Sequence, residues 1–254
     1  LQQKMKEGMG PYDLQDIKGE LLSEMGNKDA KESVIQALIG WIHGLEDLQL
    51  FGKADNPSLM DLVQPGVLTV VDMSDIIHQQ KKQVIVWYLT NRIFTERRAK
   101  RIAPTTVVLE EAHNFIPQMT NKEGSITKGI MRTIAREGRK FGVSLCLISQ
   151  RPVQLDTTTL SQCNTQLLLR ITNPYDQKHI GESSEGLSSE SLSMLNSLKV
   201  GEGLMIGEAV NAPMFFKVRQ RKSQPSRHEG TLEKAGIQYE DELAKNRKET
   251  DDLL

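Results

Sequence analysis

The stretch that decides the fold is Thr105-Thr106-Val107-Val108-Leu109-Glu110-Glu111-Ala112-His113. A run of β-branched and aliphatic residues ends abruptly in two carboxylates, which predicts a strand buried on both faces, as in a parallel sheet. Ligands of open α/β sheets bind just beyond the carboxyl ends of the strands. Glu110 and Glu111 are therefore placed for chemistry, although a strand that simply becomes polar where it meets solvent would show the same pattern.

The chemistry that fits this pattern is that of a Walker B strand. Its first acid serves Mg²⁺, directly or through water, and its second acid orients and deprotonates an attacking water. Gln150 ends the next strand of the core, where an amide can hydrogen-bond the attacking water or a γ-phosphate. The alternative for Gln150 is an amide that caps the loop before Pro152.

Composition sets wide limits on the function. A chain of 254 residues can hold one large α/β domain or two small ones. A net charge of −1 neither supports nor excludes a nucleic-acid partner, because such a partner needs a local basic surface. Cys146 and Cys163 lack metal-ligand spacing and indicate reduced cysteines of an intracellular protein. No apolar run long enough for a membrane span and no signal peptide is present, so we expect a cytoplasmic protein without a membrane partner.

The order of elements predicts an α/β fold with a largely parallel sheet flanked by helices. Residues 67–73 form an apolar run ending near Asp72, which predicts a buried strand. Ser74 or Asp75 then caps a long helix. With the strand at 106–110 this makes a βαβ unit whose two strands are parallel.

Further elements follow downstream. A helix runs from Ser125 to Gly142, where glycine provides a left-handed stop. Buried strands are predicted over 143–148 and 165–171, and the segments 204–206 and 214–218 form a closing hairpin.

Basic residues lie near several of the predicted element ends. Arg136 and Arg139 lie near a helix C-terminus, where the helix dipole alone favours cations. The functional alternative is an arginine finger that reaches a neighbour's γ-phosphate, which requires an oligomer. Arg151 follows one strand, and Arg170 lies inside another, where a charge is costly unless it is paired. Arg170 therefore either faces phosphate or forms a structural ion pair.

The phosphate-binding loop Gly-x-x-x-x-Gly-Lys-Ser/Thr is absent from the sequence, and the segment 124–129 has its residues in the wrong order. Without that loop the chain has no backbone cradle for β- and γ-phosphates. His113 has no second ligand at i+4, so it is expected in the core or behind a ligand.

Several ordered motifs together resemble archaeal HerA, a hexameric DNA helicase and translocase of the HerA/FtsK group of RecA-like ATPases. The resemblance covers residues 60–220 and is densest at 105–180. The segments that carry it are VVLEEAHNF at 107–115, IAREGRKFG at 134–142, SQRP at 149–152, LSQCNT at 160–165 and RITNP at 170–174.

The resemblance implies a RecA-like core with ATP and Mg²⁺ as cofactors. Glu110 becomes the Walker B acid on the Mg²⁺ side, and Glu111 becomes the catalytic base. Gln150 is the sensor. Arg139 matches the arginine-finger position best, with Arg136 as the fallback, while the basic groups of Arg151 and Arg170 are cofactor-binding candidates.

The resemblance also implies partners. These are a homo-hexamer, double-stranded DNA, the nuclease NurA and the double-strand-break repair nuclease complex, in DNA-end resection. Lys122 and Lys128 follow the Walker B strand and are candidates for DNA contacts, although both would equally suit a solvated surface.

The chain departs from the family pattern, since HerA proteins carry a β-barrel and a Walker A loop upstream. We therefore expect the C-terminal part of such a protein, inactive alone and unable to bind ATP tightly. It divides into a helical subdomain at 1–60, an incomplete RecA-like ATPase core at 61–218 and a charged extension at 219–254. The alternatives are a conjugation-type coupling ATPase that pumps DNA across a membrane and a non-catalytic docking module.

Overall fold

The computed structural model describes residues 12–25, 31–47, 51–52, 58–118, 125–184 and 187–224, together with 237, 239 and 240. The helices are α1 (Leu14–Ser23), α2 (Glu32–Glu46), α3 (Leu59–Leu62), α4 (Gln79–Arg98), α5 (Lys128–Phe141), α6 (Thr157–Leu160), α7 (Pro174–Ser183) and α8 (Ser189–Met194), with 3-10 turns at Ala112–Asn114 and Pro152–Gln154. The strands are β1 (Thr105–Leu109), β2 (Val143–Leu147), β3 (Thr165–Leu169), β4 (Glu202–Gly207) and β5 (Met214–Lys217).

Strands β1 and β2 form a parallel pair joined by α5. Their register runs from Thr105 opposite Val143 to Leu109 opposite Leu147. The connection from α5 to β2 is a single residue, because the helix ends at Gly142, which takes the left-handed conformation at φ 72° and passes directly into β2. The predicted glycine stop and the predicted strand at 143–148 are thereby confirmed.

One face of the β1–β2 pair is covered by helices α4 and α5. Two clusters of buried side chains fill this layer: Val86, Leu109, Ala112, Phe115, Ile116, Met131 and Leu155 in the first, and Phe94, Ile134 and Val143 in the second. On the opposite face Thr106, Val108, Ser144 and Cys146 are exposed. The prediction that β1 is buried on both faces is therefore wrong in the part of the chain that the structure describes.

Strands β3, β4 and β5 form a separate antiparallel sheet in that order. One face packs on α7 and the turn after α8, with Leu168, Ile180, Leu195, Leu198, Leu204 and Ile206 buried between them. The β4–β5 pair is the predicted hairpin. The parallel pair with its helices confirms the α/β class. The antiparallel strands pack on a second cluster of buried side chains.

The predicted strand at 67–73 is not formed. Its backbone belongs to no sheet, and Leu68 and Val70 are 84% and 76% exposed. An apolar run becomes a strand only when another strand accepts its backbone hydrogen bonds, and none of the described strands pairs with it. The βαβ unit predicted from it is therefore absent among the described residues. The following helix starts at Gln79, and its N-cap is His78, not Ser74 or Asp75.

The N-terminal helices α1 and α2 pack against each other. Asp13 and Asp16 form a reciprocal capping box at the start of α1. Ile35 and Ile42 are the buried residues of α2, and Glu46 accepts a hydrogen bond from the side chain of Gln15 at 2.6 Å. Helices are confirmed in this region as α1 and α2, whereas the described residues 51–52 are not helical.

Candidate active site

The candidate site lies at the carboxyl edge of the β1–β2 pair. Beyond the strands, the Ile148 N–H donates to Leu109 O at 3.0 Å and the Ala112 N–H donates to Ile148 O at 2.9 Å. These two bonds extend the pairing past the strand ends and bring Glu110-Glu111 alongside Ser149-Gln150. The expectation that the Gln150 strand neighbours the double-acid strand is confirmed.

Glu111 has an unusual backbone for a residue with a side chain, at φ 49° and ψ 46°. The left-handed region costs an L-residue about 1–2 kcal/mol, so it persists only where surrounding bonds impose it. Here the Asn114 N–H donates to Glu111 O at 2.9 Å, which starts the tight turn at Ala112–Asn114. The turn separates the two acids: Glu110 is exposed, whereas Glu111 is half-buried, with its side chain 40% exposed.

The Glu111 carboxylate meets a histidine and a serine. Glu111 Oε2 is shielded from solvent and makes no hydrogen bond, although it lies 3.3 Å from His113 Nδ1. The same ring nitrogen lies 3.1 Å from Ser149 Oγ. Ser149 Oγ in turn accepts the N–H of Arg151 at 3.0 Å. The imidazole of His113 thus joins the turn that follows β1 to the loop that follows β2.

A buried ion cluster lies behind the site. Asp156, whose side chain is 3% exposed, receives two hydrogen bonds from Arg132, at 3.0 and 2.6 Å. Lys128 Nζ lies 3.1 Å away, and the hydroxyl of Thr159 donates to the same carboxylate at 2.8 Å. Burial raises the pKa of Asp156, but the hydrogen bonds from Arg132, Thr159 and Lys128 outweigh burial and hold this pKa well below its usual range.

The cluster ties the start of α5 to the segments on either side of it. Lys128 Nζ also donates to Pro117 O at 2.7 Å and to Gln118 O at 3.1 Å. The hydroxyls of Ser125 and Thr127 both donate to Phe115 O. The chain after the turn at Ala112–Asn114 is therefore anchored at the start of the helix that carries Arg136 and Arg139.

The predicted basic residues do not all gather at the site. Arg136 and Arg139 are exposed on the last turns of α5, which lead into the start of β2. The start of β2 is at the opposite end of the strand pair from Glu111, one strand length or about 16 Å away. Arg151 is exposed in the site loop, whereas Arg170 lies exposed just past the end of β3, not inside it as predicted.

The two predicted DNA contacts differ in what the structure says of them. Lys122 lies outside the described residues. The ammonium of Lys128 has its three donors directed at Asp156 and two backbone carbonyls, and its side chain is only 13% exposed. The structure therefore gives Lys128 an internal role.

The residues present fit part of a metal–nucleotide site. Mg²⁺ is commonly held by one or two carboxylates together with waters and phosphate oxygens. The exposed carboxylate of Glu110 suits that task, and the orphaned Oε2 of Glu111 is an acceptor without a partner. In the described parts of the chain, no group of three or more His, Cys, Asp or Glu forms a metal cage.

Sequence reasoning missed Ser149 as a partner of His113, and it missed Arg132 and Asp156 altogether. The last two are 24 residues apart in the chain, so no short motif links them. The sequence offered one signal, an acid directly before the segment Thr157–Leu160. That acid, Asp156, is the N-cap of α6.

Comparison with known proteins gives the relationship. DNA double-strand break repair helicase HerA of Saccharolobus solfataricus is 32% identical over 231 residues, which make up 86% of this chain and 45% of that protein. This chain is a HerA homologue. HerA of Pyrococcus furiosus is 32% identical over 227 residues, covering 76% of the chain and 41% of that protein. A probable HerA of Methanocaldococcus jannaschii is 45% identical over 115 residues, or 45% of the chain and 22% of that protein.

The chain spans less than half the length of these HerA relatives. No family model matches it. Among solved structures, the genome packaging NTPase B204 of Sulfolobus turreted icosahedral virus 2 has a TM-score of 0.47 at 16% identity, over 64% of this chain and 72% of that one. VirB4 of Thermoanaerobacter pseudethanolicus has a TM-score of 0.46 at 18% identity, over 58% and 39%. None of the described helices is both long and apolar enough to cross a bilayer.

Proposed function

We propose that the protein carrying this chain is an ATP-driven double-stranded DNA translocase or helicase that acts in the repair of DNA double-strand breaks. One observation carries the proposal: the consecutive acids Glu110 and Glu111 end β1 beside the Ser149-Gln150 end of a parallel neighbour. The HerA relatives, which are named as repair helicases, support the choice of substrate.

Each residue of this edge has a distinct part in hydrolysis. Glu110, whose carboxylate is exposed beyond the strand, would hold Mg²⁺ directly or through water. Glu111 accepts the proton of the attacking water. Gln150 hydrogen-bonds that water or the γ-phosphate, and Arg151 and Arg170 are the remaining phosphate candidates.

The geometry favours an arginine finger supplied by another subunit. Arg139 and Arg136 lie near the start of β2, whereas Glu111 lies beyond the other end of the strand pair, so within one chain they are distant from Glu111. In a homo-hexamer the same residues can face a neighbour's nucleotide, where an arginine finger contributes about 10³–10⁵ in rate.

The remaining parts of the proposal follow the HerA relationship. Duplex DNA passes through the ring and is held through its phosphates without sequence preference, with Lys122 as a candidate contact. The nuclease NurA and the double-strand-break repair nuclease complex are the proposed partners, in the cytoplasm. The division at residues 60 and 218 is proposed to separate a helical insertion, the ATPase core and a C-terminal extension.

The first test is ATP hydrolysis by the native-length protein with and without duplex DNA. We expect DNA to stimulate hydrolysis and Glu111→Gln to lower kcat by about 10²–10⁴-fold. The control is Glu137→Gln, which changes an exposed acid on α5. Hydrolysis by Glu111→Gln at the wild-type rate would contradict the assignment of the base. We expect the 254-residue chain to be inactive alone, because it lacks a Walker A loop.

A mixing experiment tests the finger. Arg139→Ala and Glu111→Gln each inactivate the sites that they complete, but a mixed ring contains sites built from an intact Glu111 and an intact Arg139. We expect mixing the two inactive variants to restore hydrolysis, and the Arg139→Ala and Arg136→Ala variants assayed separately to show which arginine is the finger. Failure of every mixture to recover activity would reject a finger supplied in trans.

A further inference from the structure

The starting point is the orphaned oxygen of Glu111. Its Oε2 is buried without a hydrogen bond, and a buried carboxylate oxygen left unpaired is unfavourable because it has lost its hydration. In the part of the chain that the structure describes, the polar group that approaches it is His113 Nδ1, at 3.3 Å. The backbone cannot relieve the mismatch, because the left-handed turn fixes where the side chain starts.

The ring nitrogen has two competing partners. A protonated Nδ1 can donate to Glu111 or to Ser149, and an unprotonated Nδ1 can only accept, from the hydroxyl of Ser149. In the structure the ring pairs with Ser149 at 3.1 Å and leaves Glu111 without a bond. The single Nδ1 has one hydrogen or one lone pair to offer, so a well-aligned bond with Ser149 weakens any bond with Glu111.

Ser149 connects this choice to the neighbouring loop. Its Oγ accepts the Arg151 N–H at 3.0 Å, so its position depends on the loop that carries Gln150. The His113 side chain is 9% exposed and Glu111 Oε2 is shielded from solvent, although the Glu111 side chain as a whole is 40% exposed. A movement of this loop that withdraws Ser149 frees Nδ1 for the carboxylate.

We propose that His113 is a positioning residue for the Glu111 carboxylate, and that Ser149 competes for the same ring nitrogen and so makes this positioning depend on the Ser149–Arg151 loop. The proposal rests on the proposed role of Glu111 in hydrolysis. With the loop as observed, His113 Nδ1 pairs with Ser149 and no hydrogen bond orients the Glu111 carboxylate. When the loop moves, Nδ1 donates to Glu111 Oε2 and aims the other oxygen at the water.

The contact itself is tested in the 254-residue chain by NMR of ¹⁵N-labelled histidine, which needs no hydrolysis. We expect Ser149→Ala and Glu111→Gln each to shift the Nδ1 resonance of His113 and to leave that of His179, which contacts Leu155 O, unchanged. Ser144→Ala is the matched control, because its hydroxyl contacts only Thr106 in the recorded bonds of β2. An Nδ1 resonance that ignores both site variants would overturn the proposal.

The role is tested by kinetics of the native-length protein. We expect His113→Leu to lower kcat by about 10- to 100-fold, as is usual for residues that orient a catalytic group, with KM for ATP unchanged. His113→Asn should recover most of kcat, since its amide nitrogen takes the place of Nδ1. Ser149→Ala should raise hydrolysis without DNA and bring the ratio of stimulated to basal rate toward unity.

The outcomes separate the two proposals. A His113→Leu variant that changes KM and stability but not kcat, or an Asn variant no better than Leu, shows a merely structural residue and overturns the inference. A wild-type protein without hydrolysis overturns the proposed function, while the NMR shifts still decide whether His113 holds Glu111. If the ratio of DNA-stimulated to basal hydrolysis is unchanged in Ser149→Ala, Ser149 does not compete with Glu111 for His113, and that part of the proposal is overturned.

Discussion

Two stretches of this chain have nearly the same sequence pattern and opposite fates. Val67–Asp72 and Thr105–Glu110 are both apolar runs that end in an acid. The second is strand β1, with Leu109 6% exposed, whereas the first is unpaired and its Leu68 is 84% exposed. The difference is the surroundings: β1 has β2 along one edge and helices across one face. An apolar run therefore marks a capacity for strand formation, and its neighbours decide whether that capacity is used.

The largest expected effect comes from removing the ion cluster that anchors the segment after β1. Asp156→Ala leaves Arg132 and the nearly buried Lys128 without their counter-ion, and breaking such a pair costs about 3–5 kcal/mol. The urea unfolding midpoint measures the loss. As a control, Glu182→Ala removes an exposed partner of Lys178 and should change stability by about 1 kcal/mol at most. Equal losses in the two variants would show that the cluster does not stabilise the β1 end.

Low pH should reproduce part of the loss of stability expected for Asp156→Ala. The pKa of Asp156 is lower in the folded protein than in the unfolded chain, so its stabilisation is present above the unfolded pKa and is lost as the pH falls toward the folded one. Urea unfolding from pH 6 down to about pH 2 should show a smaller acid loss in Asp156→Asn than in the wild type. Parallel curves would contradict a depressed pKa.

The direct comparison of the two stretches is a pair of truncations. Leu109→Ala opens a cavity in the cluster beneath β1 and should cost about 2–4 kcal/mol. Val70→Ala changes a side chain that is 76% exposed and should stay within about 0.5 kcal/mol. The thermal unfolding midpoints of both variants measure the two losses of stability. A large loss in Val70→Ala would mean that residues 67–71 are packed in solution.

A smaller effect is expected where α5 lies against β2. A Cβ on Gly138 would lie 2.4 Å from Val143 O, so Gly138→Ala must push the helix off the strand, at a cost of about 1–3 kcal/mol. Gly129 on the same helix has open space around its Cα, and Gly129→Ala should stabilise by about 0.4–1 kcal/mol. Opposite signs from the same substitution on one helix would confirm that proximity to β2 causes the difference.

The smallest effect is expected at Glu111, and its sign is unusual. Glycine adopts the left-handed conformation without strain, so Glu111→Gly should stabilise the fold by about 0.5–1 kcal/mol while abolishing hydrolysis. Glu110→Gly, with no positive φ, should not stabilise. A destabilised Glu111→Gly variant would show that the contact with His113 outweighs the strain.

Local signals predicted much of this fold, and contacts distant in sequence account for the rest. Gly142 ends its helix by its own backbone freedom, so the sequence reveals it. Adjacent parallel strands follow from one helix between two apolar runs, which placed Gln150 beside Glu111. The unpaired stretch at 67–71 and the internal role of Lys128 depend on strands and acids elsewhere in the chain. No local pattern shows whether such partners are present.

The anchoring of the chain on either side of residues 119–124 has a mechanical consequence. Before them, the carbonyls of Phe115, Pro117 and Gln118 receive side-chain hydrogen bonds, and after them the donors are Ser125, Thr127 and Lys128. These bonds hold residues 115–118 and 125–128 together. Any shift of the start of α5 must therefore carry the residues after the β1 turn with it.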